Sequence, residues 1–325
     1  MNYRKFDHAS FACSEVGLGC WQLGADWGDV SDKEALEILT KAVDCGINFF
    51  DTADVYGDGR SETLIGDFLQ TIKSDVFVAT KLGRRQIYPD NYTEATIRSA
   101  TEESLRRLQT DSIDLTQLHC IPTEVLRQGK VFDWLRKLKA EGKIKSFGAS
   151  VESLEEAHLC LKQEGLSSLQ IIFNIFRQKP IAELFEEAKA KSVAVIVRLP
   201  LASGLLSGKM SRQSSFPVSD HRNYNRDGQF FNVGETFAGL PFEIGIDLAD
   251  ELRQFVPENL TMAQLAMRWI LDHEAVTVAI PGATKIQQVA DNALASDLSP
   301  LGEEIHRQLQ SFYKQKVTQH IRGPY

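Results

Sequence analysis

Short apolar runs alternate with amphipathic segments along almost the whole chain, and this rhythm restricts the fold more than any single motif. The runs fall at residues 16–19, 47–51, 76–81, 113–119, 146–150, 169–174, 194–198 and 276–280. Several are rich in Val, Ile and Phe, as strands of a parallel sheet buried on both faces tend to be. Between them the period changes to that of a helix. Ser31 and Asp32 can cap a helix whose Leu36, Leu39 and Val43 share one side, with Gly46 ending it. Thr93 opens a second, with Ile97, Leu105 and Leu108 on its apolar face. Residues 131–140, closed by Gly142, read as a third, and 153–163 and 181–191 repeat the pattern.

About eight strand–helix rounds fit two architectures, an open doubly wound sheet or a closed (β/α)8 TIM barrel. A doubly wound dinucleotide domain should open with G-x-G-x-x-G after its first strand. Here Gly17-Leu18-Gly19 continues as Cys20-Trp21-Gln22-Leu23-Gly24, which breaks that spacing. The number of units and the 325-residue length favour the barrel, as one domain over residues 1–325. Two stretches interrupt the rhythm: a polar loop at 83–92, and a long loop at about 209–241 rich in Ser, Asn, Asp and Gly. Long loops inside compact domains are usually functional or mobile.

The net charge of −8 argues against a nucleic-acid partner, which needs a basic face. The five cysteines are scattered at 13, 20, 45, 120 and 160 without a C-x-x-C pair, as expected of reduced thiols in a cytoplasmic protein. No leader-like apolar run opens the sequence, and no run has the roughly 18 apolar residues of a membrane span. The expectation is a cytoplasmic protein with no membrane partner. The oligomeric state is not legible.

Polar residues end three successive predicted strands: Asp51, Lys81 and His119. Tyr56 follows Asp51 by a few positions, in DTADVYG. Taken singly, each has an ordinary reading: a solvated lysine, a structural histidine, a turn. Taken together, they would meet at the C-terminal mouth of a barrel, where barrel enzymes carry their active sites. The chemistry is coherent. A free phenol has a pKa of about 10, and a neighbouring ammonium lowers it. Asp51 would keep a buried Lys81 charged. His119 would orient a substrate oxygen, and Tyr56 would protonate it. No side chain in this set donates hydride, so a bound cofactor must.

The motif DTADVYG, with Lys81 and His119 after the next two strands, resembles the Asp-Tyr-Lys-His tetrad of the aldo-keto reductases, in particular their longer, potassium-channel β-subunit-like branch. The resemblance covers nearly the whole chain. It implies an NAD(P)H-dependent oxidoreductase that reduces an aldehyde or ketone, with Tyr56 as proton donor and no metal. It also implies cofactor contacts. Gly148-Ala149-Ser150 is similar to the strand end whose Ser meets the nicotinamide carboxamide, and Gln170, in QIIFN, to the Gln that reaches the same group. The stretch Pro200-Leu201-Ala202-Ser203-Gly204-Leu205-Leu206-Ser207-Gly208-Lys209 resembles the pyrophosphate loop, assigning contacts to Pro200, Leu201, Ser203, Leu205, Gly208 and Lys209. Pro281, Gly282, Thr284, Lys285, Gln288 and Asn292 resemble the adenosine-binding segment at a helix start. Thr284 and Lys285 would hold a 2′-phosphate, so NADP(H) is preferred, with NAD(H) as the other candidate.

Three residues depart from the family pattern. Val151 stands where Asn is common. Arg198 stands where an aromatic ring often stacks on the nicotinamide; a guanidinium can stack in its place, or meet an anionic substrate. Gln288 stands where a basic 2′-phosphate contact is common. Trp21, Trp27 and Tyr88 are the candidate substrate contacts, with Tyr224 and Phe230 of the long loop nearby, and residues 320–325 would reach the mouth. The alternative function is a cofactor-sensing regulatory or binding subunit with little turnover, as the channel β subunits suggest.

Overall fold

The structure is a computed structural model in which residues 1–7, 11–24 and 30–325 are described. A hairpin of β1 (Tyr3–Phe6) and β2 (Phe11–Ser14) precedes eight parallel strands: β3 (Leu18–Gly19), β4 (Phe49–Asp51), β5 (Phe77–Leu82), β6 (Ile113–His119), β7 (Ile144–Ser150), β8 (Leu166–Ile172), β9 (Ala194–Arg198) and β10 (Val276–Ala279). They lie side by side in chain order from β3 to β10. The two ends meet. Gly17 N donates to Ala279 O at 2.8 Å, Ala279 N to Glu15 O at 2.9 Å, and Gly19 N to Pro281 O at 3.0 Å. Closure leaves no free sheet edge, and the result is a (β/α)8 barrel.

All eight predicted barrel strands form, with small shifts at their ends. The hairpin is an addition that short polar-flanked runs did not announce. Its Phe6 lies 5.4 Å from Phe77 and 6.3 Å from Phe49, ring to ring. Those rings start β5 and β4, so the hairpin plugs the N-terminal end of the barrel and closes the side away from the site.

The first helix, Asp32–Asp44, has the expected cap. Ser31 Oγ accepts from Glu34 N, and Glu34 returns a bond to Ser31 N. Its buried face is Ala35, Ile38, Leu39 and Ala42, whereas Leu36 is 39% exposed. The expected face was therefore set too far round: alanines complete the true stripe, and a search for large apolar residues passes over them. The helix expected at 181–191 is broken at Leu184 into Pro180–Glu183 and Phe185–Ala190.

The segment at 209–241 is not a plain loop. It contains the helix His221–Tyr224 and turns at Val233–Glu235 and Phe237–Gly239, and it buries Asp220, His221 and Asn225. Asn225 holds it together, accepting from Phe230 N and Phe231 N at 2.9 Å each. The C-terminal residues brace this segment instead of lining the mouth. Arg322 donates to Gly239 O and ion-pairs with Asp227 at 2.8 Å, while Tyr325 packs over the Arg177 guanidinium. No helix among the described residues is long and apolar enough to cross a membrane.

Candidate active site

Asp51 ends β4, Lys81 sits one residue before the end of β5, and His119 ends β6. Tyr56 comes from the turn between β4 and the helix Arg60–Leu69. A close backbone approach fixes that turn: a Cβ on Gly24 would fall 2.6 Å from Gly57 N, and Gly57 itself has φ +59°. The Trp21–Gly24 turn thus lies directly on the Tyr56 turn, and the Trp21 ring stacks at 5.8 Å on Tyr56.

The four tetrad residues converge. Lys81 Nζ donates to Asp51 Oδ1 at 2.5 Å, to Thr52 O at 2.8 Å and to the Tyr56 hydroxyl at 3.2 Å. The His119 ring meets Tyr56 edge-on at 5.8 Å. Lys81 and Asp51 are buried, so their pairing offsets a desolvation cost neither would bear alone. Asp51 Oδ2 accepts from Gln170 Nε2 at 2.7 Å and Gln117 Nε2 at 3.2 Å. Gln117, two residues before His119, went unnoticed in the sequence because it sits inside an apolar run.

The electrostatics correct one expectation. Burial pushes the Tyr56 phenol up to about 12, against the opposing pull of Lys81. The ammonium lessens the rise without reversing it, so the phenol is protonated across the neutral range. Burial pulls Lys81 down, but Asp51 and Tyr56 more than compensate and its pKa is raised. Burial, then the positive charges of Lys81, Arg84 and Arg198, hold His119 well below its usual value. Its imidazole is neutral at pH 7. His119 Nδ1 is buried with no partner among the described residues, and the residue lines the cavity.

A cavity of about 550 Å³ runs from this cluster across the barrel mouth to the helix Ile286–Ala293. Asp51, Tyr56, His119 and Trp21 line one end. Ser150, Gln170, Arg198, Pro200, Leu201, Ser203 and Lys209 line its middle, and Pro281, Gly282, Thr284, Gln288 and Asn292 the far end. Leu205, Gly208 and Lys285 do not line it. Leu205 points into the core, Gly208 makes a turn at φ +71°, and Lys285 is exposed at the helix start. Tyr88 also lies off the cavity, 47% exposed, with its ring 5.0 Å from the Arg84 guanidinium. Trp27 lies outside the described residues.

Two further placements differ from expectation. Arg198 lines the cavity, but its charge is already engaged: it ion-pairs with Glu235 and donates to Val151 O at 2.9 Å. At the far end, Gln288 Oε1 accepts from Thr284 N at 2.7 Å and Lys285 N at 3.0 Å, so the amides at this helix start are capped. Arg84, Glu235 and Phe231 also line the cavity and were missed. They come from the two irregular loops, where periodicity carries no signal.

Residues 15–314 match the Aldo/keto reductase family. The chain belongs to that family. It is 32% identical over 324 residues to an uncharacterized oxidoreductase, YqkF, of Bacillus subtilis, covering 98% of each chain. The glycerol dehydrogenase AKR11B4 from Gluconobacter oxydans superposes with a TM-score of 0.81 at 29% identity, over 100% of this chain and 98% of that one. An aldo-keto reductase from Klebsiella pneumoniae, solved in complex with NADPH, gives 0.70 at 25% identity over 96% of each. As a member of this family, the protein is an oxidoreductase.

Proposed function

We propose that the protein reduces an aldehyde or ketone to an alcohol with a reduced nicotinamide dinucleotide, NADPH in preference to NADH. The observation that carries this reading is the contact of Lys81 Nζ with both the Asp51 carboxylate and the Tyr56 hydroxyl, beside a cavity of about 550 Å³ that is also lined by Ser150, Gln170, Lys209 and Thr284.

The residues present fit such a cofactor. Ser150 Oγ and Gln170 offer paired polar groups beside the tetrad. Leu199, Ala202, Ser203 and Gly204 all have positive φ, folding the chain after β9 into a compact turn along the cavity. Lys209 adds a cation there. When bound, the dinucleotide supplies the hydride that the side chains lack. The substrate oxygen would sit between the Tyr56 hydroxyl and His119 Nε2. Neutral His119 orients it with a hydrogen bond, and protonated Tyr56 delivers its proton as charge builds there. Lys81, 3.2 Å from the phenol oxygen, stabilises the phenolate left behind, and Asp51 keeps Lys81 in place. Trp21 and Phe231 wall the substrate end and exclude water.

Fluorescence titration with NADPH and, separately, NADH tests the cofactor half, and a panel of carbonyl compounds the other. Tight saturable NADPH binding with carbonyl-dependent oxidation is the expected result. Binding of neither nucleotide would overturn the reading.

A further inference from the structure

Arg84 lines the substrate end of the cavity, and its hydrogen bonds are slack. Nε donates to His119 O at 3.3 Å, and Nη2 to Cys120 O and Glu152 Oε1 at 3.4 Å each. Among the described residues no acceptor meets Nη1. Its side chain is 25% exposed, and Tyr88 covers it from outside with the ring 5.0 Å from Cζ.

Arg84 thus meets its one ion-pair partner, Glu152, only at 3.4 Å, and the other arginines on this cavity are held more closely. Arg198 is ion-paired with Glu235, and Arg222 with Asp220 at 2.6 Å. Lys209 belongs to the stretch after β9, on the cofactor side. Arg84 follows β5, between the strands that carry Asp51 and His119, away from that side. Its acidic neighbour neutralises it poorly. Burial and the nearby Glu235 push Glu152 up to about 7, so close to neutrality much of it is uncharged. A guanidinium with free N–H groups in a partly enclosed site suits a carboxylate, which it binds through paired charged hydrogen bonds.

We propose that Arg84 forms an anion subsite beside the reacting carbonyl, and that the preferred substrates are 2-oxo acids, whose carboxylate lies one bond from the carbonyl carbon. This rests on the reductase reading above. The carbonyl carbon gains hydride from the reduced nicotinamide, its oxygen gains the Tyr56 proton, and a 2-hydroxy acid and oxidised nicotinamide result. Arg84 holds the carboxylate throughout and exchanges no proton.

The test compares phenylglyoxylate with its methyl ester, which carries the same ketone without the charge. In Arg84→Met the acid-to-ester ratio of kcat/KM should fall about tenfold or more, the worth of a charged hydrogen bond, and Arg84→Lys should restore part of it. An unchanged ratio, whether both substrates lose together or neither does, overturns the proposal. A binding assay separates this result from failure of the reductase reading. Calorimetry of benzoate and benzamide on the NADPH-loaded protein should show a preference for benzoate that Arg84→Met abolishes. If the wild type reduces neither these ketones nor any compound of the carbonyl panel but shows that preference, the subsite stands and the reductase reading falls. A protein that does not favour benzoate, or still favours it after Arg84→Met, overturns the subsite.

Discussion

Gln170 donates its amide to the Asp51 carboxylate at 2.7 Å, across 119 residues of chain, while its carbonyl accepts from Ser150 Oγ at 3.4 Å. One side chain thus joins the stretch expected to hold the nicotinamide to the acid that holds Lys81. Replacing Gln170 with Leu should weaken NADPH binding and also lower kcat, each by about tenfold, roughly one charged hydrogen bond. Fluorescence titration and steady-state rates check this. A change in NADPH affinity with kcat untouched would confine Gln170 to the cofactor.

The Arg198–Glu235 pair spans from β9 to the long segment and is nearly buried, at 10% and 13% side-chain exposure. Glu235→Ala leaves a buried guanidinium without its counter-ion and should cost about 3–5 kcal/mol. Arg198→Met combined with Glu235→Gln should recover most of that loss. Urea unfolding of the two variants measures both. Equal stability of Glu235→Ala and wild type would mean that the pair contributes nothing to the fold.

Asp54 is buried two residues before Tyr56, with Oδ1 unpartnered among the described residues. Burial, with Glu62 nearby, pushes its carboxyl up to about 7. Its folded-state pKa therefore lies above the unfolded value. Its contribution to stability is complete below about pH 4 and is lost as pH rises through 7. Asp54→Asn removes that loss, so the variant should gain on wild type by a few kcal/mol between pH 5 and pH 8. Thermal melts at the two pH values decide. A difference that stays flat with pH would place the Asp54 pKa near its ordinary value.

Gly24 and Gly57 meet backbone to backbone beneath Tyr56. Gly24→Ala must push the Tyr56 turn away, because the new Cβ would lie 2.6 Å from both Gly57 N and Tyr56 C. Displacing a catalytic group by about 1 Å can cost about 100-fold. The expected result is a folded protein with kcat reduced on that scale. Wild-type turnover in Gly24→Ala would show that the turn yields without moving Tyr56.

The barrel and the convergence of Asp51, Tyr56, Lys81 and His119 were legible because strand period and strand-end position are local signals. The burial that raises Tyr56 was not, since its surroundings, Trp21, Lys81 and His119 among them, come from segments distant in the chain. Arg198 was placed correctly at the end of β9, but its partner Glu235 lies 37 positions on, inside a stretch with no period. Gln288 was read as a departure from a basic 2′-phosphate contact; that it caps Thr284 and Lys285 is set by the first turn of the helix. Arg84 was hidden in a polar loop for the same reason as Glu235.

The central claim is that Tyr56 supplies the proton, and Tyr56→Phe tests it most directly. NADPH affinity is measured by fluorescence and carbonyl-dependent NADPH oxidation by stopped flow. The account predicts binding within a few-fold of wild type and turnover lower by about 100-fold or more, the usual contribution of a positioned general acid. A Tyr56→Phe enzyme that reduces carbonyls at the wild-type rate would contradict it.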